Sequence, residues 1–162
     1  MGKQKPVEII TPPNVLKAKL GGPLNLNSEE VIARAERALQ NLSHGFDDWL
    51  DEELCRVEVA WEKAKDLTDR DTQLSELHGR AHDLKGLAAT YGYPLITRYA
   101  ASLCRLLRTK DSRENAPREL LEAHVRACRT AMRQGIKEAD HPVGVALAQE
   151  LESQTEPFVE AD

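Results

Sequence analysis

Residues 77–107 read LHGRAHDLKGLAATYGYPLITRYAASLCRLL, and this stretch decides the fold. Leu74, Leu77, Ala81, Leu84, Ala88 and Tyr91 recur at alternating steps of three and four, the spacing of a single helix face. Gly92 then offers a helix C-cap, and Pro94 suits the first turn of a following helix. Leu95, Tyr99, Leu103 and Leu106 continue the apolar pattern at helical spacing. The segment predicts a helix, a tight stop and a second helix.

The same pattern extends outward. Ser28 is an N-cap candidate, with carboxylates in the first turn where the helix dipole favours them. Ile32, Ala35, Leu39 and Leu42 follow at helical spacing, and NLSHG at 41–45 predicts a break or kink. Phe46, Leu50, Leu54, Val57, Trp61 and Ala64 then mark a second helix, whose outer face carries Asp47, Asp48, Asp51, Glu52 and Glu58. The third helix runs from about Asp71 to Tyr91. Beyond the fourth, TKDSRENAP reads as a connection. A fifth helix, from about Pro117 to Lys137, presents Leu121, Val125, Cys128, Met132 and Ile136. After DHPVG at 140–144, a weaker helical stretch reaches about Ser153. No strand pattern appears. The expected fold is all-α, an antiparallel up-and-down four-helix-bundle core with additional N- and C-terminal helical segments. Residues 1–27, with four prolines and a GGP, read as a flexible extension. The bundle is assigned to 28–139, and a C-terminal helical extension with an acidic tail to 140–162.

Composition narrows the function. The chain has 162 residues, 41% hydrophobic and 30% charged, with a net charge of -5 and 4% aromatic residues. An acidic total with few aromatics argues against nucleic-acid binding. No apolar run reaches the roughly 18 residues of a membrane span, and the N-terminus lacks a signal-type apolar region. A cytoplasmic protein is expected. Cys55, Cys104 and Cys128 are widely and irregularly spaced, so they read as reduced core thiols and not as a metal or redox cluster.

The chemistry concentrates in AHDLKG, residues 81–86. His82 lies about 100° from Ala81 on the helical wheel, at the edge of the buried stripe. Its neighbours three and four residues away are His78, Gly79, Lys85 and Gly86. Glycine in a helix interior costs roughly 1 kcal/mol relative to alanine. Two glycines beside one histidine make sense where another protein's site must approach the ring closely. Lys85 places a cation one turn along, suited to an anion held on the imidazole. Ala89 extends the small-residue surface by a further turn.

These residues resemble the histidine-containing phosphotransfer (HPt) family of bacterial multistep phosphorelays. The family's HxxKG pattern is His82, Lys85 and Gly86, followed by the small Ala88 and Ala89 and by Gly92. Leu87 departs from the small Ser or Ala common after the glycine, but the wheel turns it about 140° from His82. The resemblance covers roughly residues 28–138. It implies His82 as phosphoacceptor, Lys85 as phosphoryl stabiliser and Gly86 as the point of close approach. Gly79, Ala89 and His78 join the expected docking surface from the wheel alone. It further implies response-regulator receiver domains and a hybrid histidine kinase as partners, and a monomeric carrier, not a turnover enzyme. No cofactor is implied in this chain; magnesium is expected in the partner receiver. The chain contains no GxxxxGK[ST] phosphate loop, so it does not read as an ATP-dependent kinase.

Other readings compete, the weakest being a structural bundle with an incidental motif. His78 and His82 stand at the i, i+4 spacing that can clamp zinc, but Gly79 replaces the glutamate of HExxH and no third ligand is evident; no metal site is expected. A helical module that binds a signalling partner without passing phosphate is the alternative. Across 70–110, seven basic residues (Arg70, Arg80, Lys85, Arg98, Arg105, Arg108, Lys110) face three acidic ones (Asp71, Glu76, Asp83). Such a surface would be steered toward a receiver's acidic pocket.

Overall fold

The structure, a computed structural model, describes residues 29–65 and 69–159. The expected extension at 1–27 and the last three residues of the tail lie outside them. The described chain is all-helical: α1 (Glu29–Ala64), α2 (Arg70–Thr90), α3 (Pro94–Leu106), α4 (Lys110–Asn115), α5 (Arg118–Arg133) and α6 (Pro142–Thr155), then a single 3-10 turn, Glu156–Phe158. The chain divides into two compact units, Met1–Gln40 and Asn41–Asp162. In the first, only the opening of α1 is described, and Ile32 there is exposed. Everything below concerns the second.

The predicted break at 41–45 does not occur; α1 is continuous. The segment has no proline, and Gly45 costs only roughly 1 kcal/mol in a helix. The next turns bury Leu50, Leu54 and Val57 completely, each worth about 1.5–3 kcal/mol. Burial outweighs the local penalty.

In α2 the buried residues are Leu74, Leu77, Ala81, Leu84 and Ala88, as the period predicts. The helix ends where Gly92 takes φ +78°, and the Tyr93 N–H reaches back to the Ala88 carbonyl at 2.8 Å. That 6→1 bond needs a left-handed residue, which glycine supplies without steric cost. Gly135, at φ +61°, does the same for α5, with Ile136 N–H donating to Ala131 O at 3.0 Å. This is why α5 stops at Arg133 and not near Lys137. TKDSRENAP is not a plain connection either. Thr109 and Ser112 form a reciprocal capping box that starts α4, and the Arg113 Nε donates to Asp71 at 2.7 Å.

α3 is the central helix, packing on α2, α5 and α6. α6 contributes Ala148 and Leu151 to the shared core. It is fixed to α3 by the Arg98–Glu152 ion pair, with two contacts of 2.6 Å, and by the Tyr99 hydroxyl donating to Gly144 O at 2.9 Å. A Cβ added at Gly144 would stand 2.3 Å from Leu95 Cδ1. Gly144→Ala is therefore expected to cost about 1–3 kcal/mol by overpacking, read as a lower denaturation midpoint; an unchanged midpoint would show that Leu95 repacks freely.

The acidic side of α1 is not simply solvated. Arg129 of α5 donates to both oxygens of Glu58 at 2.7 Å and also bonds Asp51, which together hold its guanidinium pKa well above the ordinary value, the Glu58 bond contributing most. Asp47 accepts from the Tyr93 hydroxyl at 2.9 Å and from Lys137 at 3.0 Å. Charges that look like an outer face on a single-helix wheel pair here across helices. The cysteines also divide: Cys104 and Cys128 are buried, with burial pushing their thiols up to about 11 and about 12, but Cys55 is exposed. Cys55 is therefore not the core thiol expected from its position beside an apolar stripe.

His124 is fully buried. Its Nδ1 lies 2.8 Å from the Leu120 carbonyl and must carry the proton, so Nε2 accepts from the Ser102 hydroxyl at 2.9 Å. Ser102 in turn meets the Thr155 hydroxyl at 3.2 Å, linking α5, α3 and α6. Burial pushes the His124 pKa below its ordinary 6.5, with the Leu120 bond opposing. Burial also lowers His78, with Arg113 adding to the effect. Below pH 6.5 the unfolded chain then binds more protons than the folded one. Stability is accordingly complete above that value and falls as the pH drops toward the lowered folded values. The melting temperature should decline on acidification below 6.5, with a flatter slope in His124→Leu; an identical slope would remove His124 from this account.

Candidate functional site

The solvent side of α2 assembles the predicted residues. Its core stripe pins the helix, so the residues about 100° away must face water. The His82 side chain is 64% exposed, and its Nδ1 lies 3.9 Å from the Asp83 carboxylate, too far for a hydrogen bond but close for an ion pair. Gly79, Gly86 and Ala89 are exposed; His78 and Lys85 are half-buried.

Nothing within the fold explains the two glycines. Neither has a positive φ, and a Cβ built on either would meet no atom within 4 Å. Alanine would fit at both positions and favour the helix. Gly92 differs, because its backbone conformation requires glycine. Within one helical segment, the glycines therefore separate into one that serves the fold and two that the fold does not use.

The electrostatics run across elements. Arg113 of α4 lies close enough to His78 to disfavour its protonated form, behind burial as the larger cause. The charge of Lys85 reaches Cys104 of α3 and pulls that thiol back against burial, while Asp83 pushes it up. Sequence reading missed Asp83 and Arg113 as neighbours of the two histidines. Asp83 was visible beside His82, but Arg113 is brought in by α4, which the sequence did not disclose. The expected basic surface is also smaller than its count implied. Arg98 pairs with Glu152, Arg105 pairs with Glu156 at 2.8 Å, and Arg70 is turned onto the Ala116 carbonyl.

Among the described residues no cluster of histidine, cysteine and carboxylate side chains could hold a metal ion. Nor is any described helix long and apolar enough to cross a membrane.

The Hpt domain family model matches residues 27–152, and the chain belongs to that family. Hpt domains are phosphocarriers that pass phosphoryl groups through histidine in phosphorelays, interacting there with receiver domains and histidine kinases. No curated protein and no solved structure matches the chain.

Proposed function

We propose that this protein carries phosphoryl groups between receiver domains on His82. The observation that carries the reading is an imidazole 64% exposed between two glycines for which the fold has no use. With Nδ1 beside Asp83, Nε2 is the nitrogen free to react. Its lone pair attacks the phosphorus of a receiver's aspartyl phosphate in line, forming the N–P bond. The P–O bond breaks and its electron pair returns to the aspartate carboxylate. Nδ1 keeps its proton next to Asp83, which offsets the positive charge acquired by the ring. Transfer to the next receiver reverses these steps.

Lys85 supplies a cation for the phosphoryl oxygens, and Gly79, Gly86, Ala89 and His78 form the surface on which the receiver seats. Magnesium belongs to the receiver's acidic pocket; this chain contributes a nucleophile and a docking face, as phosphoryl transfer by positioning requires. The protein works as a monomeric cytoplasmic carrier, not a turnover enzyme, loaded through a hybrid histidine kinase, with no nucleic acid or membrane among its partners. Residues 41–64 of α1 together with α2, α3 and α5 make up an antiparallel up-and-down four-helix core. The Lys63–Glu76 pair and the Asp47–Tyr93 bond support this, joining the end of α1 to the start of α2 and the start of this α1 segment to the residue after α2.

The test is transfer of radiolabelled phosphate from a panel of phosphorylated receivers to the full chain. Acid-labile, base-stable label is the expected result. Absence of label from every receiver would sink the carrier reading and favour a binding module.

A further inference from the structure

At the end of α2 remote from Gly92, a small pocket opens among α1, α2 and α5. Its floor is apolar, formed by Trp61, Ala64, Leu74 and Leu121, and its polar lining is Lys65, Arg70 and Arg118. Among the described residues no carboxylate lines it. Trp61 is only 4% exposed, yet its indole N–H has no acceptor; the Arg70 Nε–H is buried and equally unpartnered. Leaving a buried donor unpaired costs about 1–3 kcal/mol, so two together in one pocket need a reason.

Charge and backbone point the same way. Arg70 and Arg118 are the first residues of α2 and α5, and neither helix has a side-chain cap: Asp69 makes no capping bond, and the other N-cap is Pro117. A helix N-terminus carries the positive end of the helix dipole. Lys65 is already paired with Glu62 at 2.5 Å, but Arg118 forms no ion pair among the described residues. Among the described residues, every polar side chain lining the pocket is thus a donor.

We infer that this pocket binds a compact oxyanion, inorganic phosphate or the terminal phosphate of a small metabolite, between the Trp61 indole, Arg70 and Arg118. The interior, ≈ 20 Å³, admits one water-sized group, so one anion oxygen enters and the rest meets Arg118 at the mouth. A water could accept from both donors, but it would direct its own hydrogens into a rim of cations. Gln73 Oε1, on the same helix as Arg70, is also buried and unpartnered, but Gln73 is not among the residues that line the pocket. Twelve residues separate Arg70 from His82, about 18 Å along the helix, so the pocket is separate from the transfer site and its test does not depend on phosphotransfer.

The experiment follows the indole N–H resonance of Trp61 in the full chain, in a Trp49→Phe background that leaves one indole. Inorganic phosphate is titrated at constant ionic strength. The expected result is a saturable shift, with Arg118→Gln needing at least about tenfold more phosphate. Arg118 is exposed, so this variant keeps its fold, whereas Arg70 also holds the Ala116 carbonyl. His82→Gln should bind as well as wild type. A resonance that ignores phosphate means that water occupies the donors, and the proposal fails. It also fails if chloride produces the same shift or if Arg118→Gln titrates like wild type.

Discussion

His82→Gln should take up no phosphoryl group from any receiver that labels the wild-type chain, with its stability unchanged within roughly 0.5 kcal/mol. The side chain is 64% exposed and its contact with the Asp83 carboxylate spans 3.9 Å, so the fold loses little. Glutamine keeps a polar side chain of similar reach but removes the ring nitrogen whose lone pair forms the N–P bond. The loss should therefore be one of chemistry, not docking, and the variant should compete with wild type for a receiver. Persistent label would move the acceptor to His78, one turn away on the same face. That residue is half-buried beside Arg113, a poorer position for in-line attack by another protein's phosphate. Label lost only together with receiver binding would instead make His82 a docking residue.

The hairpin around Gly92 was legible because each of its signals is local. An apolar period, a left-handed glycine and a proline at a helix start act within a few residues, and all three appear in the structure where the sequence puts them. The exposure of His82 followed from the same period. What the sequence concealed depends on neighbours distant along the chain. Asp51 and Glu58 look like solvated acids until α5 brings Arg129 to them, some seventy residues later. The break at NLSHG was an error of magnitude: one glycine cannot end a helix whose following turns bury three aliphatic side chains. Gly135 was a readable stop signal for α5 that the longer apolar period overrode. The donor-lined pocket is the clearest case, since Trp61 read simply as a core residue. Its unpaired N–H becomes visible only when Arg70 and Arg118 arrive from two other helices.

Gly86→Gln is expected to move stability and transfer in opposite directions. Gly86 has ordinary helical geometry and open space where a Cβ would stand, so a helix-forming side chain should raise stability by about 0.5–1 kcal/mol. The same side chain would occupy the surface one turn from His82, keeping the receiver's aspartyl phosphate from reaching the ring. A displacement of about 1 Å from in-line geometry can cost roughly 100-fold in rate, and transfer should fall by that order. Gly86→Ala, adding a single carbon, should gain similar stability with a smaller loss. Gly45→Ala provides the control: that glycine is also helical and unobstructed but lies on α1, so it should stabilise the chain without slowing transfer. If Gly86→Gln transfers at the wild-type rate, close approach is not what the glycine serves. If it loses stability instead, Gly86 does serve the fold, and the argument that separates it from Gly92 fails.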